Sequence, residues 1–138
     1  MPKRAYIAYQ PRSVRRVLRP LSWIGSALDD LRRLPESVRR SVGHALREVQ
    51  VGGFPPEAKP LRGELSGIHE LRVDDAAGTY RAVYVSRFES FIYVLHVFQK
   101  KSTHGHSMSR RDVDRIRQRL ARAEADEAAH LRHQGDRT

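Results

Sequence analysis

The chain has 138 residues, of which 39% are hydrophobic and 30% charged, with a formal net charge of +10 and no cysteine. This length is sufficient for one domain with a single hydrophobic core. The lack of cysteine excludes a disulfide scaffold, a thiol nucleophile and a cysteine-ligated zinc site. No apolar run reaches the roughly 18 residues of a transmembrane helix, so we expect no membrane span and a cytoplasmic location.

Residues 1–20 form a strongly basic segment. They contain six lysine or arginine residues, three prolines and no acidic residue. This composition predicts a flexible basic arm. Its arginine content is also similar to that of an organelle transit peptide, although Ser13 is its only serine. A nucleic-acid-binding arm is a third interpretation, and the sequence assigns no function to this segment.

A short strand and a first helix are predicted directly after the arm. Leu21–Ile24 is an apolar stretch that ends at Gly25, as expected for an edge strand. Ser26 is followed three residues later by Asp29, which is a capping-box pattern for the start of a helix. The apolar residues of this helix then fall at helical spacing: Leu28, Leu31 and Leu34.

A second helix is predicted from Pro35, which fits the first turn of a helix, to the glycine pair Gly52-Gly53, which ends it. Its apolar residues share one face. They are Val38, Val42, Ala45, Leu46 and Val49. Residues 26–51 are therefore predicted to form a helical hairpin that covers one side of the core.

The pattern changes to that of strands after a predicted loop at residues 53–67. Strands are predicted at Ile68–Val73, Thr79–Val85 and Phe91–Phe98. The short turns between them predict antiparallel pairing. The last of these strands is apolar on both faces, which predicts an interior position in the sheet.

A long C-terminal helix is predicted to begin at a second capping-box pattern, Ser109 with Asp112. Its apolar stripe consists of Val113, Ile116, Leu120 and Ala123. Apolar support ends after Ala129, and disorder is expected from Gln134. The sequence predicts an α+β fold: a small, mostly antiparallel sheet with two N-terminal helices on one face and a C-terminal helix. The expected domain spans residues 21–132, with a disordered tail at 133–138.

Charged side chains on neighbouring predicted strands point to one face of the sheet. Side chains alternate along a strand, so Glu70 and Arg72 lie opposite Leu71, and Arg81 lies opposite Tyr80. If Leu71 and Tyr80 face the helical hairpin, then Glu70, Arg72 and Arg81 share the other, open face.

More basic groups follow the last strand, at the rim of the same face. They are Lys100 and Lys101, then His104 and His106 in the next loop. A carboxylate surrounded by cations meets the needs of metal-free RNA cleavage. There a base takes the proton of the ribose 2′-hydroxyl, cations stabilise the phosphorane, and an acid protonates the leaving 5′-oxygen. The alternative is an ion pair on a solvated sheet face beside an ordinary cluster of charge at a strand end.

The other histidines are predicted to be structural. His96 lies within an apolar strand and is expected to be a hydrogen-bonded core residue, and His69 lies on the Leu71 side. The loop that carries His104 and His106 has no acidic residue, so we expect no metal site. We also expect no cofactor, because no glycine-rich phosphate loop is present.

Four motifs occur together in the strand region: KPLRG at 59–63, ELR at 70–72, TYRAVY at 79–84 and IYVLHVFQKK at 92–101. Their combination resembles the phage-related branch of the RelE/HigB toxin family. Residues 23–63 are similar to the same branch, and the resemblance extends over residues 21–122. It implies a RelE-like fold with an open basic face. It also implies a type II toxin–antitoxin system whose toxin cleaves mRNA on the translating ribosome, inhibits translation and arrests growth.

The resemblance also implies partners and residue roles. The partners are a cognate antitoxin of the helix-turn-helix type, the ribosome and mRNA. Arg81 matches the family's phosphate-binding arginine, Arg62 a basic position beside the RNA, and Glu70 the candidate base. His104 or His106 is the candidate acid, because the family's C-terminal tyrosine or histidine has no clear counterpart. The expected catalytic set is Glu70, Arg81, Lys100, Lys101 and His104, and the expected RNA-binding set is Lys59, Arg62 and Arg72.

Two alternatives stay open at this point. One is a toxin of the ParE group, which blocks DNA gyrase; such proteins typically lack the full basic set, so the presence of Glu70, Arg81 and Lys100 favours cleavage. The other is a binding module that has lost catalysis and only pairs with its antitoxin or with nucleic acid.

Overall fold

The computed structural model describes residues 18–100 and 108–136. Within them the strands are β1 (Leu21–Trp23), β2 (Ala58–Pro60), β3 (His69–Asp75), β4 (Gly78–Val85) and β5 (Ile92–Gln99). The helices are α1 (Ala27–Arg32), α2 (Glu36–Gln50) and α3 (Arg110–Asp136), and a 3-10 turn lies at Gly63–Leu65. The α+β fold class predicted from the sequence is confirmed.

The five strands form one sheet in the order β1-β5-β4-β3-β2. Strand β1 runs parallel to β5, and the other neighbouring strands are antiparallel. Strand β5 lies inside the sheet, as predicted from its two apolar faces. Strand β2 was not predicted, because its three residues carry no period of their own. It exists through its pairing with β3, in which Lys59 lies opposite Glu70.

Helices α1 and α2 cover one face of the sheet. The predicted apolar stripe of α2 is buried against Leu71, Tyr80 and Tyr84. Burial of this stripe stabilises the hairpin, since each fully buried aliphatic side chain contributes about 1.5–3 kcal/mol. The assignment of Leu71 and Tyr80 to the helix-covered face is therefore confirmed.

Helix α3 covers part of the opposite face, where Ile116 and Ala123 pack on Val83, Tyr93 and Leu95. The prediction of an open second face is wrong for this region. The sequence placed the α3 stripe correctly but did not indicate which surface receives it.

A β-bulge in β5 changes the direction of its last side chains. Tyr84 pairs with Val94 but Val83 pairs with His96, so Leu95 is an extra residue on β5. The carbonyl oxygen of Leu95 accepts a hydrogen bond of 2.9 Å from Nη1 of the buried Arg119. The bulge turns His96 toward α3, where its Nε2 lies 2.9 Å from Oδ1 of Asp112. This confirms the predicted hydrogen-bonded core histidine.

The capping bond predicted for α3 is present, whereas the one predicted for α1 is absent. The backbone N–H of Asp112 donates to Oγ of Ser109 at 3.1 Å, so the predicted cap of α3 is present. The predicted capping box of α1 is wrong: Ser26 makes no side-chain cap bond, and its Oγ instead donates to Oδ2 of Asp30 at 2.8 Å.

Both ends of the predicted domain extend further than expected. The backbone N–H of Arg19 donates to the Gln50 carbonyl at 2.9 Å, and Nε2 of Gln50 donates back to the Arg19 carbonyl at 2.8 Å. This part of the predicted flexible arm is thus fixed to the end of α2, while residues 1–17 lie outside the described residues. Helix α3 continues through Asp136, so the disorder expected from Gln134 is not found up to that residue. None of the helices in the described ranges has the length and hydrophobicity to cross a membrane.

Candidate functional site

A cavity of about 210 Å³ lies between the β2–β3 segment, the sheet and the start of α3. Its polar lining consists of Lys59, Arg62, Glu64, Glu70 and Arg81. Its apolar lining consists of Leu61, Leu65, Met108 and Val113. The cavity therefore joins residues that are far apart in the sequence, and four of them belong to the predicted site.

Glu70 and Arg81 form a buried ion pair at the base of this cavity. Arg81 lies opposite Arg72 in the β3–β4 register, so Glu70, two residues before Arg72, is its diagonal neighbour on the same face. Nη1 of Arg81 is 2.9 Å from Oε2 of Glu70, and the side chains are only 1% and 0% exposed. A buried carboxylate next to a guanidinium keeps that guanidinium in one orientation.

Lys59 adds a second positive charge beside the same carboxylate. It is the direct cross-strand partner of Glu70, and its Nζ lies 3.9 Å from Oε1 of Glu70 while its side chain is 46% exposed. Both carboxylate oxygens of Glu70 are buried, with no hydrogen-bond partner among the described residues. Glu70 therefore faces cations at ion-pair distance and does not present an oxygen to solvent.

Two guanidinium groups lie across from each other at this site. Arg72 and Arg81 are directly opposite residues of β3 and β4, and like charges in this position destabilise a strand pair. Asp74 approaches Arg72, with Oδ1 3.7 Å from Nε, and Glu70 approaches Arg81. The two carboxylates thus partly offset the repulsion between the two arginines.

Lys100 follows β5 at the same end of the sheet, with its backbone N–H donating to the Thr79 carbonyl at 2.8 Å. Desolvation lowers the pKa of Lys100 from its ordinary value, and the positive charges of Arg81 and Arg72 lower it further. Glu70 acts in the opposite direction. These interactions show that the Lys100 ammonium lies among the other cations of the site.

Glu64 connects the segment after β2 to the start of α3. Its carboxylate accepts two hydrogen bonds from Arg110, at 2.6 and 2.8 Å, and one from Arg117 at 2.8 Å. The hydrogen bond from Arg110 is the main reason that the pKa of Glu64 is lowered to about 2. These bonds tie the 3-10 turn to the first turns of α3.

The structure brings together most of the predicted site. Glu70, Arg81, Lys59 and Arg62 line the cavity, and Arg72 and Lys100 adjoin it. Three predicted residues, Lys101, His104 and His106, lie outside the described residues. The sequence did not identify the other residues that line the cavity: Leu61, Glu64, Leu65, Met108 and Val113. Leucine, methionine and valine carry no chemical signature, and the cavity forms only where the segment after β2 meets the start of α3.

The histidines within the described residues have structural surroundings. His96 pairs with Asp112, and burial lowers its pKa more than Asp112 raises it. His69 stacks on Tyr84, with ring centroids 5.5 Å apart, and burial lowers its pKa. Within residues 18–100 and 108–136, no three histidine or acidic side chains are grouped in a metal-binding arrangement.

Three solved structures are similar to this chain over 62–63% of its length. One is a chain of the toxin–antitoxin complex RelBE2 from Mycobacterium tuberculosis, with 25% identity, a TM-score of 0.45 and 95% of that chain covered. The second is a double arginine-to-alanine variant of the E. coli toxin RelE in the free state, with 23% identity, a TM-score of 0.46 and 88% covered. The third is the isolated E. coli RelE toxin, with 23% identity, a TM-score of 0.49 and 88% covered.

No curated protein matches the chain at a significant level. Residues 29–121 match the model of a protein family described as phage-derived and Gp49-like. This segment is more than half of the chain. It begins at the third residue of α1 and extends through β5 to the first turns of α3. The protein therefore belongs to the Gp49-like family of phage-derived proteins, which confirms the phage-related branch predicted from its sequence motifs.

Proposed function

We propose that the protein is the toxin of a type II toxin–antitoxin system and that it cleaves mRNA on the translating ribosome. The observation that carries this proposal is the cavity in which the buried Glu70–Arg81 pair meets Lys59 and Arg62. A carboxylate-oriented guanidinium among further cations matches the charge that develops when a phosphodiester is attacked. The family resemblance of the sequence motifs and the net charge of +10 agree with an RNA substrate.

The proposed reaction is attack of the ribose 2′-hydroxyl on the adjacent phosphorus. The 2′-oxygen loses its proton to a base and forms a bond to phosphorus, and the bond from phosphorus to the 5′-oxygen breaks. The products are a 2′,3′-cyclic phosphate and a 5′-hydroxyl end. The protein stabilises the negative charge of the phosphorane and supplies the two proton transfers, so the reaction requires no metal ion.

We propose distinct roles for the charged residues. Lys59 and Arg62 bind the phosphate and stabilise its transition state, because their exposed charges line the cavity, and the buried Arg81 adds positive charge at the base of the cavity. Glu70 is a positioning residue: its oxygens are buried, so it orients Arg81 and offsets its charge. We propose Lys100 as the general base in place of the buried Glu70, because it follows β5 at the same end of the sheet, and the direction of its pKa shift agrees with this role.

The proposed site also includes two residues that follow β5 in the sequence. Lys101 remains a proposed source of transition-state charge, and His104 remains the proposed acid for the leaving 5′-oxygen. Arg72 is proposed to contact the RNA, since it lies opposite Arg81. A cognate antitoxin that covers these cations would inhibit the protein by excluding RNA from them.

The experiment that tests this proposal uses purified protein with programmed ribosomes. We expect cleaved mRNA with 2′,3′-cyclic phosphate and 5′-hydroxyl ends. A message with a single 2′-deoxynucleotide on the 5′ side of the cleaved bond should resist cleavage at that bond. Cleavage that persists at the deoxynucleotide, or ends that carry a 5′-phosphate, would contradict the mechanism.

Matched variants separate the site from general loss of charge. Arg62→Gln removes one cation from the cavity lining, and Arg39→Gln removes one exposed arginine from the outer surface of α2. We expect a loss of cleavage of roughly 100-fold for Arg62→Gln, comparable to the removal of one charge-stabilising donor. Equal activity of the two variants would contradict the assigned site.

A further inference from the structure

We propose that the apolar wall of the cavity, formed by Leu61, Leu65, Met108 and Val113, binds one nucleobase beside the phosphate held by the cations. This inference rests on the proposed function in that it takes RNA as the ligand. It adds a second contact to the site, one that depends on the base and not on the backbone charge.

The cavity has a charged lining on one side and an apolar lining on the other. Lys59, Arg62 and Arg81 supply charge, while Leu61, Met108 and Val113 are only partly buried and pack at the edge of the core under α3. Such residues keep apolar surface available to a ligand. A nucleotide has the matching division, with an anionic phosphate at one end and a flat, largely apolar base face at the other.

Hydrogen bonds connect the two segments that form the apolar wall. Leu61 precedes the 3-10 turn and Leu65 is its last residue, whereas Met108 lies two residues before α3 and Val113 lies in its first turn. Glu64 joins these segments through three hydrogen bonds from Arg110 and Arg117. Glu64 also lines the cavity, but its charge is already bound by two guanidinium groups. The cleft is therefore formed before a ligand arrives.

The volume of the cavity also suits a single nucleobase. The cavity of about 210 Å³ is smaller than the roughly 300–1,000 Å³ of typical small-molecule sites. It has room for one ring system and not for a base pair. An unstacked base of a single-stranded RNA is the occupant that fits both this size and the adjacent cations.

The test is a binding measurement that does not depend on cleavage. The probe is a short single-stranded RNA made of 2′-O-methyl nucleotides, which lacks the attacking hydroxyl. It is compared with a set of the same oligomers in which each nucleotide in turn is abasic. With wild-type protein we expect one abasic position to weaken binding roughly tenfold, as for the loss of one stacked base, and the other positions to have little effect.

Variants of the apolar wall test whether it causes the weaker binding of the abasic oligomer. Met108→Ala with Val113→Ala should reduce the abasic effect to less than about twofold while leaving the affinity for the abasic oligomer unchanged. Leu61→Ala tests the opposite half of the wall. Leu131→Ala, which removes an exposed leucine far along α3, should retain the full effect. Thermal unfolding of each variant confirms that it is folded.

Three results would overturn the inference. They are equal affinity for all oligomers with wild-type protein, no binding of any oligomer, and displacement of the RNA by an acidic peptide whose own affinity falls in the Met108→Ala, Val113→Ala variant. Failure of the proposed function has a different signature. In that case the base-dependent binding would be present, but programmed ribosomes would yield no cleaved mRNA.

Discussion

Glu70 and Arg81 lie diagonally across neighbouring strands, and their side chains meet at 2.9 Å with exposures of 0% and 1%. A carboxylate in this position serves as a fixed counter-ion: it directs the guanidinium toward the cavity and compensates a charge that is too costly to bury alone. The cavity can therefore concentrate cations without unfolding the sheet that carries them.

Glu70→Ala tests the counter-ion role through stability. Removing one partner of a buried ion pair leaves the other charge uncompensated, so we expect the free energy of unfolding to fall by about 3–5 kcal/mol. Urea unfolding followed by circular dichroism measures this change. The double variant Glu70→Met, Arg81→Met is the control, because replacing both charges by apolar groups should cost clearly less. A loss below about 1 kcal/mol for Glu70→Ala would contradict the buried pair.

Much of the fold was predictable because its signals are local. The stripe of α2 and the alternation of β3 and β4 determine which side chains are buried, so the shared face of Glu70, Arg72 and Arg81 followed directly. The sequence did not predict that α3 covers part of this face, because the position of α3 depends on contacts between residues distant in sequence, such as Glu64 with Arg110. The burial of Glu70, for which we propose the role of counter-ion and not of base, could not be inferred from the strand pattern either.

The bulge at Leu95 is a second feature that the sequence did not indicate. Strict alternation would place His96 on the same face as Val94, under α2. The extra residue directs His96 to Asp112 instead, and Arg119 stabilises the bulge by donating to Leu95. The hydrogen bond of His96 was predicted, but its partner could be identified only after the register of β4 and β5 was known.

Gly25 and Gly43 should respond in opposite ways to substitution by alanine. Gly25 has a φ of +59°, and an added Cβ would lie 2.9 Å from Nε of Arg119, so Gly25→Ala should lower the free energy of unfolding by about 2 kcal/mol. Gly43 lies in α2 with nothing within 4 Å of an added Cβ, so Gly43→Ala should raise it by about 0.5–1 kcal/mol. Urea titrations of both variants check the difference, and a neutral Gly25→Ala would contradict the close packing of Arg119.

Stability should decrease as the solution is acidified through the titration range of His96. Burial lowers its pKa in the folded state below the ordinary value of 6.5, so the unfolded chain takes up the proton first. The stabilisation is complete at higher pH and is lost as the pH falls below about 6.5, with a slope of at most about 1.4 kcal/mol per pH unit.

Urea unfolding between pH 8 and pH 5 measures this slope. His96→Phe should reduce it, leaving the part due to His69, whose pKa is lowered in the same direction. His44→Gln, at an exposed position of α2, serves as the control and should retain the wild-type slope. An unchanged slope in His96→Phe would disprove the assignment.

Glu64→Gln should loosen the start of α3 while leaving most of the global stability. Glu64 and its arginine partners are exposed, and exposed ion pairs contribute little to global stability, so the expected change is local. Hydrogen exchange of the amides at residues 113–117 should accelerate, whereas Glu36→Gln, which breaks the exposed Glu36–Arg40 pair of α2, should not affect them.

The same contact should respond to acid. The pKa of Glu64 is lowered from 4.5 to about 2, so its stabilising effect is present above about pH 4.5 and is lost as the pH falls toward 2. Exchange of the α3 amides in wild-type protein should therefore approach that of Glu64→Gln at low pH. Equal exchange in both proteins at neutral pH would show that Glu64 does not hold α3.

The central claim is that the cation-lined cavity cleaves mRNA during translation, and mapping mRNA 5′ ends in bacterial cells tests it most directly. Cells would express the wild-type chain, the double variant Lys59→Gln, Arg62→Gln, or the surface control Arg39→Gln. These exposed positions avoid the folding defect expected from substituting buried Arg81. We predict new 5′ ends within translated regions, in register with codons, for wild type and the control but not for the double variant. Growth arrest with intact mRNA, or the same 5′ ends from the double variant, would contradict this account.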